Sequence, residues 1–235
     1  MLALTNYTFP TDAEENLACL GHRVLRLPPH PMLPPPVSSH PDMLLFFAKD
    51  TIFCTQSYYK IAKKELEEIS AAYGAPICCI EEEYKAKYPH DVLLNAFSLG
   101  NYLFCNTKAV AKKLLELQLV PCHVNQGYSK CSTLPVGENA LITSDASILE
   151  KAQAAGIDVL QIEAGHISLE GYNYGFIGGC ASFAPRGDFK NIYFCGDIKK
   201  HPDATKIEKF CLSHGFQMIC LSNTPLCDVG TIFMI

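Results

Sequence analysis

One unit of about 47 residues is written five times in this chain, and the fifth copy is divided between the two ends. Four segments share one phrase: Asp50-Thr-Ile-Phe-Cys-Thr55, Asn101-Tyr-Leu-Phe-Cys-Asn106, Asn139-Ala-Leu-Ile-Thr-Ser144 and Asn191-Ile-Tyr-Phe-Cys-Gly196. The fifth copy opens the chain at Leu2-Ala-Leu-Thr-Asn6. Each phrase leads into a helical pattern and then a short apolar strand: Val24 to Leu27, Pro76 to Ile80, Val120 to Val124, Ile157 to Gln161 and Phe216 to Cys220. Each is preceded by another strand: Met43 to Phe47, Val92 to Phe97, Thr133 to Val136, Ala181 to Ala184 and Gly230 to Ile235. The last has no successor, so its partner is the strand at Leu2. A repeat completed by joining the two ends implies a closed ring. Each copy must bury its apolar face on its neighbours, which predicts one domain over residues 1–235.

The helices are legible from their ends. Thr11-Asp-Ala-Glu-Glu reads as a cap with first-turn acids, and Gly21 ends that helix. Ser57 to Tyr73, Thr107 to Gln118, Asp145 to Ala155 and Asp203 to Ser213 carry apolar residues at helical spacing. Gly74, Gly156 and Gly215 follow three of them, in the left-handed conformation that turns a chain back.

Composition narrows the partners. A net charge of −5 exerts no general pull on nucleic acid or an anionic membrane. No apolar run reaches the roughly 18 residues of a membrane span. The first residues lack the basic and apolar regions of a secretory signal. Twelve cysteines with no CxxC pair point to reduced thiols in a cytoplasm rather than to a disulfide framework or a zinc knuckle. Cys54, Cys105 and Cys195 share one repeat position, and Cys79, Cys122 and Cys220 share another, as small buried hydrophobes would.

Chemistry gathers at the mouths of the inner strands: His40-Pro-Asp42, His90-Asp91, Lys130-Cys-Ser132, Gly179-Cys180 and Leu226-Cys-Asp228. In a fivefold ring these positions converge near the axis. They supply two histidines, three aspartates and the cysteines Cys131, Cys180 and Cys227 to one small space. Such a set contains a nucleophile, a proton-transfer partner and a cation-binding carboxylate. Polar residues at strand mouths also serve as structural caps. The loop Ala164 to Gly179 is rich in glycine and polar-tipped aromatics, so His166, Glu170, Tyr172, Asn173 and Tyr174 are candidates for a lid. His123 reads as a core histidine, and His22, His201 and His214 as solvated helix-edge residues.

On these residues the chain resembles the guanidino-group-modifying enzymes, or penteins. In layout it is most similar to the dimethylarginine dimethylaminohydrolases, with arginine deiminases and amidinotransferases as further relatives. The resemblance implies a five-bladed α/β propeller of ββαβ units. It implies that Asp42 in His40-Pro-Asp-Met-Leu and Asp91 in Pro89-His-Asp-Val-Leu hold a guanidinium, and that Cys227 in Leu226-Cys-Asp-Val-Gly attacks it. The third-blade mouth, Gln126-Gly-Tyr-Ser-Lys-Cys131, lacks the family's histidine, so His40, His90 or His166 would transfer the proton. Asp228, Cys131, Cys180, Tyr172 and Asn173 complete the expected substrate-binding set. The implied activity is a cysteine-dependent hydrolase or amidinotransferase acting on a small guanidino compound, with no cofactor. The absent histidine leaves open a non-catalytic protein of the same fold that binds a protein or ribosome partner. A third reading is a metal held by Cys131, Cys180, Cys227 and a ring histidine.

Overall fold

The computed structural model describes residues 1–183 and 190–235. It contains five three-stranded sheets, each with the same order. An inner strand runs antiparallel to a middle strand, which runs parallel to an outer one. The inner, middle and outer strands of the first complete blade are Phe46–Ala48, Thr51–Thr55 and Ile77–Ile80. The second uses Phe97–Leu99, Tyr102–Cys105 and Val120–His123. The third uses Thr133–Pro135, Ala140–Thr143 and Asp158–Gln161. The fourth uses Ala181–Phe183, Asn191–Phe194 and Gln217–Cys220. Ala184, the expected end of its inner strand, lies outside the described residues. The fifth blade joins Phe233–Met234 to Leu2–Thr5 and Arg23–Arg26, so the split repeat is completed as its pattern requires. The architecture is the expected five-bladed α/β propeller.

Each parallel pair needs a crossover, and the helical segment supplies it. Gly21, Gly74, Gly156 and Gly215 all have φ between 77° and 81°, which brings the chain straight from helix to outer strand. The outer strand is a sheet edge, which is why Pro121 is tolerated there, opposite Leu103. Middle strands are buried on both faces: Ala140 to Thr143 have no exposed residue, and Cys54, Cys105 and Cys195 are sealed into the core. The second cysteine position behaves differently. Cys79 and Cys122 are half-buried and Cys220 is exposed, because the outer strand has water on one side.

Three elements depart from the sequence pattern for identifiable reasons. The helix expected over Ser57 to Tyr73 is two helices, Gln56–Ile61 and Lys63–Tyr73, broken where Ala62 leaves the helical region at φ −110°. Thr107 to Gln118 contains only one helical turn, Lys112–Leu115, because the Ala111 amide is drawn away to the Leu93 carbonyl. The strand expected from Met43 begins at Phe46, since Pro41 at a first helical position starts a turn over Pro41–Leu44. That turn puts Asp42 inside the protein. Similarly Val92 to Ala96 form turns, and the second inner strand starts at Phe97.

All five inner strands wall one cavity of about 270 Å³, which Phe46, Phe97, Pro135, Ser182 and Phe233 each touch from a different blade. The ring is therefore closed around an axis, and the strand mouths meet there. Among the described residues no helix is long and apolar enough to cross a membrane.

Candidate functional site

At the other end of the axis lies a second cavity of about 220 Å³. Its wall includes His40, Tyr128, Cys131 and Asp228, and the loop residues Tyr172 and Asn173 stand over it. Asp42 is just behind this wall. It is 1% exposed, and its Oδ2 accepts from the Cys131 thiol at 3.0 Å and from the Thr231 hydroxyl at 3.0 Å. Its Oδ1 is buried with no partner among the described residues.

Asn95 joins the first two mouths to the third. Its amide nitrogen donates to the Asp42 carbonyl at 3.2 Å and to Cys131 Sγ at 3.0 Å, while its oxygen accepts from the Lys130 backbone amide at 2.8 Å. The thiol is thus held in a fixed place. Burial pushes it well above its ordinary pKa, and the charges of Asp42 and Asp228 push it further. Asp91 is also buried, and its Oδ2 accepts from the Tyr128 hydroxyl at 2.7 Å, while Oδ1 has no partner among the described residues.

Asp228 is held by two backbone amides, Phe176 N–H on Oδ2 and Gly230 N–H on Oδ1, each at 2.9 Å. Burial raises its carboxyl pKa, with His40 opposing the shift and Asp42 adding to it. His40 Nδ1 lies 3.8 Å from Asp228 Oδ1, and neither ring nitrogen has a hydrogen-bond partner among the described residues. A buried imidazole with two uncommitted nitrogens on a cavity wall has a hydrogen-bond donor and an acceptor to offer whatever fills the cavity.

Below this layer, Thr231 holds the axis together. It is a β-branched residue at φ 75°, a conformation such residues avoid. Its hydroxyl contacts the Gly178 carbonyl at 2.6 Å as well as Asp42, and accepts from Lys130 Nζ at 2.9 Å. Lys130 is 7% exposed, and it lines the 270 Å³ cavity at the other mouth rather than the 220 Å³ cavity that Cys131 lines. Burial pulls its ammonium below the ordinary lysine value, against the opposing pull of Asp42 and Cys131.

That shift has a readable sign. The unfolded chain holds the Lys130 proton with the ordinary value of 10.5, and the folded chain holds it more weakly. Folding therefore releases the proton between those limits, so this lysine's contribution to stability rises with pH across the window. Lys130→Met removes the slope. In denaturant unfolding, the variant should compare most favourably with the wild type near neutral pH and lose ground as pH approaches 10.5. A difference that does not move with pH in that range would show that the buried ammonium is not strained.

The structure gathers His40, Asp42, Cys131, Tyr172, Asn173 and Asp228 at one cavity, with Asp91 linked through Tyr128. The other expected residues lie elsewhere. Cys227 is half-buried and packs with the cluster that holds Leu221 and Val229, its Sγ 3.8 Å from the Asp228 carbonyl. Cys180 is sealed in the core, its thiol on the Ile177 carbonyl at 3.3 Å. His90 is exposed. His166 is exposed, with Nε2 3.2 Å from Glu163 Oε1 and its ring 5.4 Å from that of His201. His201 is buried rather than solvated, its Nδ1 accepting from the Asp203 amide at 3.1 Å. His123 accepts from the Thr107 hydroxyl at 2.8 Å, a satisfied structural histidine. The metal ring does not form: among the described residues no three His, Cys, Asp or Glu side chains sit together as ligands.

Asn95, Tyr128 and Thr231 are not among the residues that the sequence pattern points to; Lys130 is, as the head of the third mouth, without a role of its own. Tyr128 lies in the same third-blade segment, three residues before Cys131. Asn95 and Thr231 follow the mouths by a few residues, at the points where turns replace the expected strands.

No curated protein matches the chain by sequence. Among solved structures, it is similar to a histidine-to-glycine variant of dimethylarginine dimethylaminohydrolase, in adduct with S-methyl-L-thiocitrulline. The TM-score is 0.52 at 10% identity, over 93% of this chain and 90% of that one. The likeness gives the fold, that of the penteins. By sequence, residues 4–233 match the model of a family of unknown function, DUF6873, and the chain belongs to that family.

Proposed function

We propose that the cavity lined by His40, Cys131 and Asp228 binds a small guanidino- or amidino-type cation, and that Cys131 attacks its central carbon. The observation that carries this reading is a cavity lined by Asp228, with Asp42 behind its wall on the Cys131 thiol and Asp91 behind Tyr128, Asp42 Oδ1 and Asp91 Oδ1 being buried without a partner among the described residues. Carboxylates are costly to bury without a cation. A planar, delocalised cation with several N–H donors satisfies carboxylates at several angles at once. Tyr128, Tyr172 and Phe176 provide aromatic faces of the kind that accept such a cation. The pentein fold adds a neighbour that forms an adduct with a thiocitrulline.

Cys131 takes the role that the sequence resemblance gave to Cys227, because its thiol faces the cavity and rests on a carboxylate. As Sγ bonds to the amidine carbon, its proton passes to Asp42 Oδ2. Collapse of the tetrahedral adduct breaks a C–N bond, and the leaving amine takes a proton from His40 across from Asp228. Water then adds to the S-linked carbon and gives a proton back to His40; the C–S bond breaks, Sγ takes back the proton held on Asp42, and the urea-type product leaves, its excess proton passing to solvent. The bound cation offsets the carboxylate charges that hold the thiol protonated in the empty site. Twelve free cysteines fit a reducing compartment.

One observation favours a second reading, a binding protein that performs no chemistry: the thiol is held strongly toward its neutral form. Alkylation separates the two. Chloroacetamidine, compared with chloroacetamide and mapped over all twelve cysteines, is expected to modify Cys131 selectively. Cys131→Ser should remove that selectivity. Selective labelling of Cys227 would move the nucleophile there, and equal, slow reaction of both reagents would leave only the binding reading.

A further inference from the structure

The cavity at the opposite mouth has no part in the chemistry above, yet it is lined by Lys130, the one buried lysine or arginine among the described residues. Its volume is about 270 Å³, and Phe47, Phe97, Pro135, Phe183 and Phe233 make most of its wall apolar, with Ser98, Ser182 and Lys130 as polar lining. Phe47 and Phe233 meet at 4.9 Å between ring centres, so the wall is packed and preformed. Lys130 lines this cavity, its Nζ 5.7 Å from the centre of the Phe233 ring.

Two of its three donors are used, on Thr231 Oγ1 at 2.9 Å and on the Gly178 carbonyl at 3.4 Å, the second a long contact. Its nearest acid, Asp42, is one hydroxyl removed, through Thr231. No carboxylate pairs directly with this ammonium among the described residues. Buried charges in proteins are normally paired directly, so a site of this kind is completed by an anion from outside. The apolar walls and the single cation limit that anion to one negative charge on a hydrophobic body. A phosphate or a dicarboxylate would bring a second charge with no second cation among the described lining residues to meet it.

We propose that this mouth binds a small aryl or alkyl monocarboxylate, with its carboxylate on Lys130 Nζ and its apolar body among Phe47, Phe183 and Phe233. The proposal is independent of the guanidino reading, since it concerns the other end of the axis and a side chain that reading does not use.

Calorimetric titration of the full chain with 3-phenylpropionate and with its neutral amide, 3-phenylpropanamide, tests it. The acid should bind about 10- to 100-fold more tightly than the amide, the range a charge-assisted bond gives. Lys130→Met should weaken the acid by a similar factor and leave the amide unchanged. Phe47→Ala, which alters the wall without touching the ammonium, should weaken both several-fold. If acid and amide bind alike, or neither binds at millimolar concentration, the proposal fails. It fails also if folded Lys130→Met binds the acid as the wild type does. Should Lys130→Met not fold, the acid-to-amide ratio on the wild type and the Phe47→Ala result decide the matter.

Discussion

Asp42→Asn should collapse the preference of Cys131 for a cationic reagent. In the wild type the ratio of chloroacetamidine to chloroacetamide reactivity measures how strongly the cavity favours an amidinium over its neutral counterpart. Asp42 Oδ2 is 3.0 Å from the thiol, and the other oxygen is buried without a partner among the described residues. Removing one member of a buried charge pair costs about 2–4 kcal/mol, so the ratio should fall roughly 30- to 1000-fold. The ratio is the useful quantity, because the substitution also changes the thiol itself. Any change in the nucleophile affects both reagents equally, whereas loss of cation recognition affects only one. An unchanged ratio would mean that Asp42 serves the architecture and not a ligand.

Gly178→Ala is expected to be strongly destabilising. A Cβ at Gly178 would stand 2.1 Å from the Thr133 carbonyl oxygen and 2.3 Å from that of Lys130. Both are backbone atoms of the third-blade mouth, so no side chain can rotate out of the way. The fourth-blade loop must therefore back away from the third. That movement would also release the Gly178 carbonyl from Thr231 and Lys130. A cost of about 3 kcal/mol follows from overpacking of this kind. For a chain of this size that is a loss of roughly 6–12 °C in melting temperature. A thermal melt within about 2 °C of the wild type would show that the loop has slack, and the close packing of the two mouths would lose its support.

Most of the fold could be read from the chain because its signals repeat. Five copies of one pattern correct each other, and a helix-ending glycine at Gly21, Gly74, Gly156 and Gly215 marks the same corner four times. The site was less legible because it lies where the repeats diverge. Pro41 begins a helical turn where the pattern suggests a strand, and that turn carries Asp42 inward. Asp42, Asp91, Asp228 and His40 were visible as polar residues at mouths. Which of the three mouth cysteines faces the cavity was not, since a one-residue change of phase in a turn decides it. Cys227 and Asp228 are neighbours, yet one packs in a hydrophobic cluster and the other lines the cavity. Asn95 and Thr231 were invisible for a different reason: their importance comes from hydrogen bonds across blades, to partners 35 and 189 positions away.

Lys130 and Cys131 are consecutive residues that serve opposite ends of the axis. The partition between the two cavities is therefore one peptide bond thick at this point, and Asn95 Oδ1 accepts from the amides on both sides of it. The two chambers share a floorboard. A ligand that lifts or twists it from one side shifts the anchoring group of the other, with no hinge, domain motion or second subunit involved. Exchanging the order of these two side chains would transpose the chemistry of the two ends, putting a cation where the thiol stands and a thiol where the cation stands.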